Sequence, residues 1–192
     1  MPKLILKPSK PLKKTAEKVK DFLSSPNRRV FFFDEGRFGL KTISGRCWAL
    51  KSVRKISPIY IGYKNFYIYS SVSPQEGDSF SLFLPWVNTE MMNLYLEQLS
   101  LAYPELEIML IMDQAGWHVS KKIKLPDNIL IESLPPYSPE LNPAEKLWQW
   151  LKFHVCRNRL FQSDNQLENA LVDELNSRTR SDMATLCHCS YL

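Results

Sequence analysis

The run Arg29-Val30-Phe31-Phe32-Phe33-Asp34-Glu35 carries four apolar residues in succession and then two acids. It reads as a buried strand with carboxylates where the chain leaves the sheet. Glu107 to Asp113 (EIMLIMD) is a second apolar run that ends in an acid. Asn128 to Leu134 (NILIESL) is a third, stopped by Pro135-Pro136. Asn65–Val72 and Ser79–Leu84 alternate instead. With Pro74 to Asp78 between them as a turn, they predict a hairpin. Asn88 is placed to cap a helix that runs over 88–102, with Glu90 in its first turn and Met91, Met92, Tyr95, Leu99 and Ala102 on one stripe. A helix is expected over 143–158, where Asn142 caps and Pro143 is tolerated at the start. Its inward face is Ala144, Leu147, Trp148, Leu151 and Val155. Another opens at Ser163, with Leu167, Ala170, Leu171 and Leu175 inside.

The order strand, hairpin, helix, strand, strand, helices implies an α/β protein with a mixed five-stranded sheet flanked by helices. The helical crossover should return the 107–113 strand parallel to another strand. With the 29–35 strand as its neighbour, the two acid-bearing ends lie side by side. The connection 37–63 contains Gly39, Gly45, Pro58 and Gly62. It is long for a compact domain, so it is expected to be a functional loop or to hold its own hairpin.

The whole chain has 192 residues, enough for one ordinary domain, with a hydrophobic share of 44% and a charged share of 23%. The longest unbroken apolar run is Ile108 to Met112, far short of a membrane span. The N-terminus lacks the apolar core of a secretory signal, and four irregularly spaced cysteines suit reduced thiols in a cytosol. Neither GxGxxG nor GxxxxGK occurs, so dinucleotide and P-loop chemistry lack their usual support. The net charge of +5 is unevenly spread. Residues 1–20 hold seven lysines against Glu17, so the rest of the chain is close to neutral. Residues 1–27 therefore read as a basic arm, either a strap along a polyanion or a solvated linker. Residues 28–192 read as the folded domain.

Asp34 and Asp113 stand at the ends of strands about 4.8 Å apart if these are neighbours. Two carboxylates in such a cleft repel each other, and a divalent cation removes that cost. Oxygen-only ligands favour Mg²⁺. Glu145, in the first turn of the helix after Pro135-Pro136, is the third carboxylate that would complete a two-metal site for an in-line displacement. Each acid also has a plainer use. Asp34 could turn the chain with Glu35-Gly36, Asp113 could cap a short helix around Trp117, and Glu145 fits a capping box with Asn142.

Three blocks carry a resemblance. They are Asp34-Glu35-Gly36-Arg37-Phe38-Gly39, Asp113-Gln114-Ala115-Gly116-Trp117-His118, and the stretch from Pro135 to Glu145, PPYSPELNPAE. Together they resemble the catalytic blocks of the mariner-type DDE transposases, in particular the bacterial insertion-sequence branch. The third block is the most specific, and 31 residues separate Asp113 from Glu145. The resemblance implies an RNase H-like catalytic domain, with Asp34, Asp113 and Glu145 holding two Mg²⁺ ions and Mn²⁺ as a substitute. Asp34 would bridge the metals. The implied activity is cleavage of DNA at transposon ends and strand transfer into target DNA.

The implied partners are transposon-end and target DNA, a second copy of the chain on that DNA, and no membrane. The implied place is the nucleoid of a bacterial cytoplasm. Transposases of this type begin with helix-turn-helix modules, whereas this chain starts in what resembles their linker. Two readings follow. A separately encoded helix-turn-helix partner supplies recognition, or the chain is a catalytically silent remnant that binds DNA or regulates a full-length copy. Arg37, Lys121 and Lys122 are candidates to meet phosphate, or are ordinary surface charges. His118 would contact DNA or, more commonly for a lone histidine, serve structure. Trp48, Trp86 and Trp117 could stack on unpaired bases, with core packing the commoner role. Trp148 and Trp150 read as structural. Cys187-His188-Cys189, with His154 and Cys156, matches no common zinc spacing.

Overall fold

A computed structural model of the chain describes residues 10–52, 56, 59–60, 62, 64–113, 122–136 and 138–189. Five strands, β1 (Arg28–Gly39), β2 (Asn65–Val72), β3 (Ser79–Leu84), β4 (Glu107–Met112) and β5 (Ile129–Ser133), form one sheet in the order β3-β2-β1-β4-β5. β1–β2 and β2–β3 are antiparallel, while β1–β4 and β4–β5 are parallel. This is the mixed α/β sheet expected from the hairpin and the crossover. β1 outlasts its apolar run. It pairs with β2 from Phe32–Val72 through to Gly39–Asn65, so the glycine-bearing stretch after Asp34 is still strand.

Alternation along β1 sorts its unbroken apolar run onto two faces. Val30, Phe32 and Phe38 join one core with Met109 and Ile111 of β4. Phe31 and Phe33 join the other with Leu110 and Met112. The second face is covered by α2 (Thr89–Ala102) through Met92, Tyr95, Leu96 and Leu99. Asn88 caps that helix, accepting from the Met91 N–H at 2.9 Å. The first face takes the other helices: α1 (Lys10–Phe22), α3 (Ala144–Leu151), α4 (Asp164–Asn176) and α5 (Arg180–Leu186). Burial on both faces explains why the β1 and β4 sequences do not alternate.

Three local departures have physical causes. Residues 10–22, within the basic arm, are helical. Thr15, Val19 and Phe22 recur at helical spacing and are buried against the domain, and Lys18 pairs with Glu132 at 2.7 Å. The helix expected over 143–158 is α-helical only to Leu151 and widens into a π-turn over Lys152–Cys156. In a continuing α-helix Val155 and Cys156 would diverge, whereas the wider turn lets both reach the core. The 37–63 connection forms no strand pair of its own among the described residues. Thr42 and Tyr60 meet instead, through a backbone hydrogen bond of 3.2 Å and a Tyr60 N–H donated to the Thr42 hydroxyl at 2.9 Å.

Candidate active site

Asp34 lies on β1 two residues beyond Phe32, and Asp113 lies two residues beyond Ile111 of β4. Phe32 and Ile111 are paired partners in the parallel register. The alternation that puts Phe32 in one core carries Asp34 towards that same face, the one covered by α3, while Asp113 follows just after the end of β4. Glu35, one residue on, belongs to the opposite face. Its charge acts on Tyr69 and Tyr95, both packed in the α2 core. Strand geometry therefore separates the two adjacent acids.

The start of α3 is tied to the end of β1. Pro139–Leu141 make a 3-10 turn, and Asn142 follows it, only 5% exposed. The Asn142 amide donates to the Phe33 carbonyl at 2.8 Å, and its oxygen accepts from the Ala144 N–H at 3.1 Å. One side chain thus caps the helix and pins it beside Asp34. Glu145 sits in the first turn of α3, half-buried. Trp148, one turn later, donates its indole N–H to Oδ2 of Asp34 at 2.8 Å.

The Asp34 carboxyl is pushed up from its ordinary 3.8 to about 7. Burial is the main cause, opposed by the Trp148 hydrogen bond and reinforced by the negative charges of Glu145 and Glu35. Glu145 therefore lies close enough to Asp34 to act on it electrostatically. Asp113 is exposed at the mouth of the sheet. Among the described residues, no three His, Cys, Asp or Glu side chains are gathered at metal-holding distance. The structure thus joins Asp34 with Glu145 and leaves Asp113 one residue past the end of the neighbouring strand.

The donor set is nonetheless that of a hard cation. The acids offer oxygen atoms only, and Asp34 is buried beside the like charge of Glu145, accepting from the Trp148 indole and the Glu35 backbone N–H. A divalent cation bound there would offset the repulsion between Asp34 and Glu145, as a proton on Asp34 does.

Arg37 is exposed on the Glu35 face of β1, and Lys122 is exposed after β4. Asn93 of α2 holds the backbone there, donating to the Lys122 carbonyl at 3.1 Å and accepting from the Lys124 N–H at 2.8 Å. His118 and Lys121 lie outside the described residues, as do Trp117 and Tyr137. Trp48 and Trp86 are solvent-facing, at 100% and 65% exposure, rather than packed in the core. Trp150 has a structural setting, donating to Glu174 at 2.8 Å with Arg178 over its ring. The thiols of Cys156 and Cys187 are pushed up by burial, to about 11 and about 12.

Two residues carry a role that sequence reasoning misses. Trp148 fits an apolar helix face and gives no sign that its N–H meets Asp34. Gly36 is readable only as a turn former. A Cβ on Gly36 would lie 2.8 Å from both the Trp148 indole and the Phe38 ring, so the glycine is the seat of the indole.

Residues 29–168 match the DDE superfamily endonuclease family. The Sinorhizobium fredii (strain NBRC 101917 / NGR234) protein named "Uncharacterized protein y4pE/y4sA" is 40% identical over 116 residues, 56% of this chain and 86% of that protein. The crystal structure of the catalytic domain of Mos1 mariner transposase superposes with a TM-score of 0.64 at 13% identity, covering 95% of this chain and 89% of that one. The Mos1 mariner paired end complex with Mn superposes with a TM-score of 0.68 at 16% identity, covering 95% of this chain and 60% of that one. The chain therefore spans about three fifths of the longer Mos1 chain, and at such identities the likeness is one of fold. Because the matched span runs from β1 through α3 and so takes in both elements that meet at Asp34, this chain belongs to the DDE superfamily endonuclease family, with the RNase H-like fold of the mariner transposase catalytic domain.

Proposed function

We propose that this chain is the catalytic domain of a bacterial insertion-sequence transposase, cutting DNA at transposon ends and transferring the freed strand into target DNA. The observation that supports this is the approach of Glu145 to Asp34 across 110 residues of sequence, held by the Asn142–Phe33 and Trp148–Asp34 hydrogen bonds. Asp34, Asp113 and Glu145 would hold two Mg²⁺ ions, or Mn²⁺ in their place. Bound there, the pair would activate the attacking oxygen and stabilise the leaving one.

The protein's own part is positioning and charge. Asp34 and Glu145, both half-buried, place two carboxyl groups together at the sheet end, and β1 and α3 hold them in a fixed place. A water oxygen attacks phosphorus at the transposon end, the P–O3′ bond breaks, and a 3′-hydroxyl is released. That hydroxyl then attacks a target phosphodiester in the same site. Arg37 and Lys122 on the surface, with His118 and Lys121 in the β4–β5 connection, are the residues we assign to DNA contact. The basic arm would follow the same polyanion. We place the protein on DNA of the bacterial nucleoid, as a homodimer across paired ends, with a separately encoded helix-turn-helix chain supplying end recognition. No helix among the described residues is long and apolar enough to cross a membrane.

A nicking and strand-transfer assay on transposon-end DNA with Mg²⁺, with and without such a helix-turn-helix chain, tests the proposal. Nicked and joined products support it. The alternative, a catalytically silent chain that binds DNA or regulates a longer copy, shifts the DNA without forming product. Cutting of branched DNA without joining would point to a structure-selective nuclease instead.

A further inference from the structure

We propose that Trp148 is a positioning residue that orients the Asp34 carboxylate for its cation, an inference that rests on Asp34 being a metal ligand. The indole N–H donates to Oδ2 of Asp34 at 2.8 Å, and the Glu35 backbone N–H also bonds the carboxylate. A carboxylate free to rotate presents its lone pairs in any direction, and one held by fixed donors presents those left over in a set direction.

The indole suits this task in three respects. It is a donor only, so it cannot itself become a ligand. It is neutral, so unlike a lysine or arginine it leaves the carboxylate charge for the cation. Its own position is set by packing rather than by the hydrogen bond it makes. Trp148 is 3% exposed, its ring meets Phe38 edge-on at 6.0 Å and 69°, and the bare backbone of Gly36 lies beneath it. Glu145 and Trp148 are three residues apart on one face of α3. The helix that brings in one carboxylate therefore also aligns the other.

The test is Mn²⁺ binding to the full chain, read by electron paramagnetic resonance. The samples are the wild type, Asp34→Asn, Trp148→Phe and Trp148→benzothienylalanine. The last keeps the bicyclic shape and has sulfur in place of the N–H, so it decides the matter if Trp148→Phe does not fold. Asp34→Asn is expected to lose binding. Both changes at 148 are expected to weaken it by about 10–100-fold, the usual effect of removing an outer partner of a metal ligand. The benzothienylalanine protein should still unfold cooperatively, at a midpoint lowered by no more than the loss of one hydrogen bond. In ¹⁵N spectra the Trp148 indole resonance should respond to Mg²⁺ in the wild type and not in Asp34→Asn. If Asp34→Asn binds Mn²⁺ like the wild type, the metal reading fails and takes this inference with it. If Asp34→Asn loses binding while the benzothienylalanine protein binds normally, the metal site stands and Trp148 is packing alone.

Discussion

The Asn142 side chain donates to the carbonyl of Phe33 at 2.8 Å, joining residues 109 positions apart in the chain. The same amide accepts from the Ala144 N–H, so the first turn of α3 is fixed to the strand that carries Asp34. Asn142→Asp keeps the acceptor for Ala144 and removes the donor for Phe33. Asn142→Ala removes both. Leaving a buried carbonyl unpaired costs about 1–3 kcal/mol. Urea denaturation should show both variants destabilised by that order, with cleavage falling further than stability because Glu145 is no longer aimed.

Asp34→Asn, Asp113→Asn and Glu145→Gln are each expected to abolish DNA cleavage with fold and DNA binding kept. The loss should exceed the roughly 10–100-fold typical of outer partners of a metal site. Circular dichroism, a gel-shift and a nicking assay on the same preparations separate these effects. A variant that still cuts removes its residue from the site.

The metal-free protein should lose stability as pH rises from about 4 to about 7. Asp34 binds its proton more tightly folded than unfolded, so the folded state holds more protons in that window. The contribution is complete below the ordinary carboxylate range and gone above about 7. Denaturation midpoints measured against pH should show this slope in the wild type with chelator, and a flatter profile in Asp34→Asn, whose amide does not titrate.

Gly36→Ala should destabilise the fold by about 1–3 kcal/mol, the usual cost of overpacking. Its Cβ would stand 2.8 Å from Trp148 and Phe38 ring atoms that cannot move without leaving the core. Near-ultraviolet circular dichroism and thermal unfolding report the displaced indole and the reduced stability together.

The arm lysines should set the salt dependence of DNA affinity. Lys18 is already paired with Glu132, an exposed ion pair worth about 0–1 kcal/mol at most. Replacing Lys3, Lys7, Lys10, Lys13 and Lys14 by alanine should flatten the slope by about 0.9 for each phosphate that is no longer neutralised. An unchanged slope, read by fluorescence anisotropy across a salt series, makes the arm a passive linker.

The residue string alone determined β2, β3, α2, α4, the start of α3 and the apolar runs of β1, β4 and β5 as elements of the right type. Runs such as VFFF and IMLIM, the alternation of 65–72 and 79–84, and the caps at Asn88 and Ser163 all act over a few residues, and local backbone physics reads them directly. The crossover rule made β1 and β4 plausible parallel neighbours. The glycine-bearing half of β1 was hidden because its strand character comes from pairing with β2, not from its own side chains. The helix over 10–22 was masked by its lysines, since only docking reveals that Thr15, Val19 and Phe22 have a partner surface. The π-turn follows from a core that accepts both Val155 and Cys156. What tertiary structure alone decided is the neighbourhood of Asp34. The hydrogen bonds to Trp148 and from Asn142 to Phe33 join segments more than 100 positions apart, and no periodicity within either segment encodes the other.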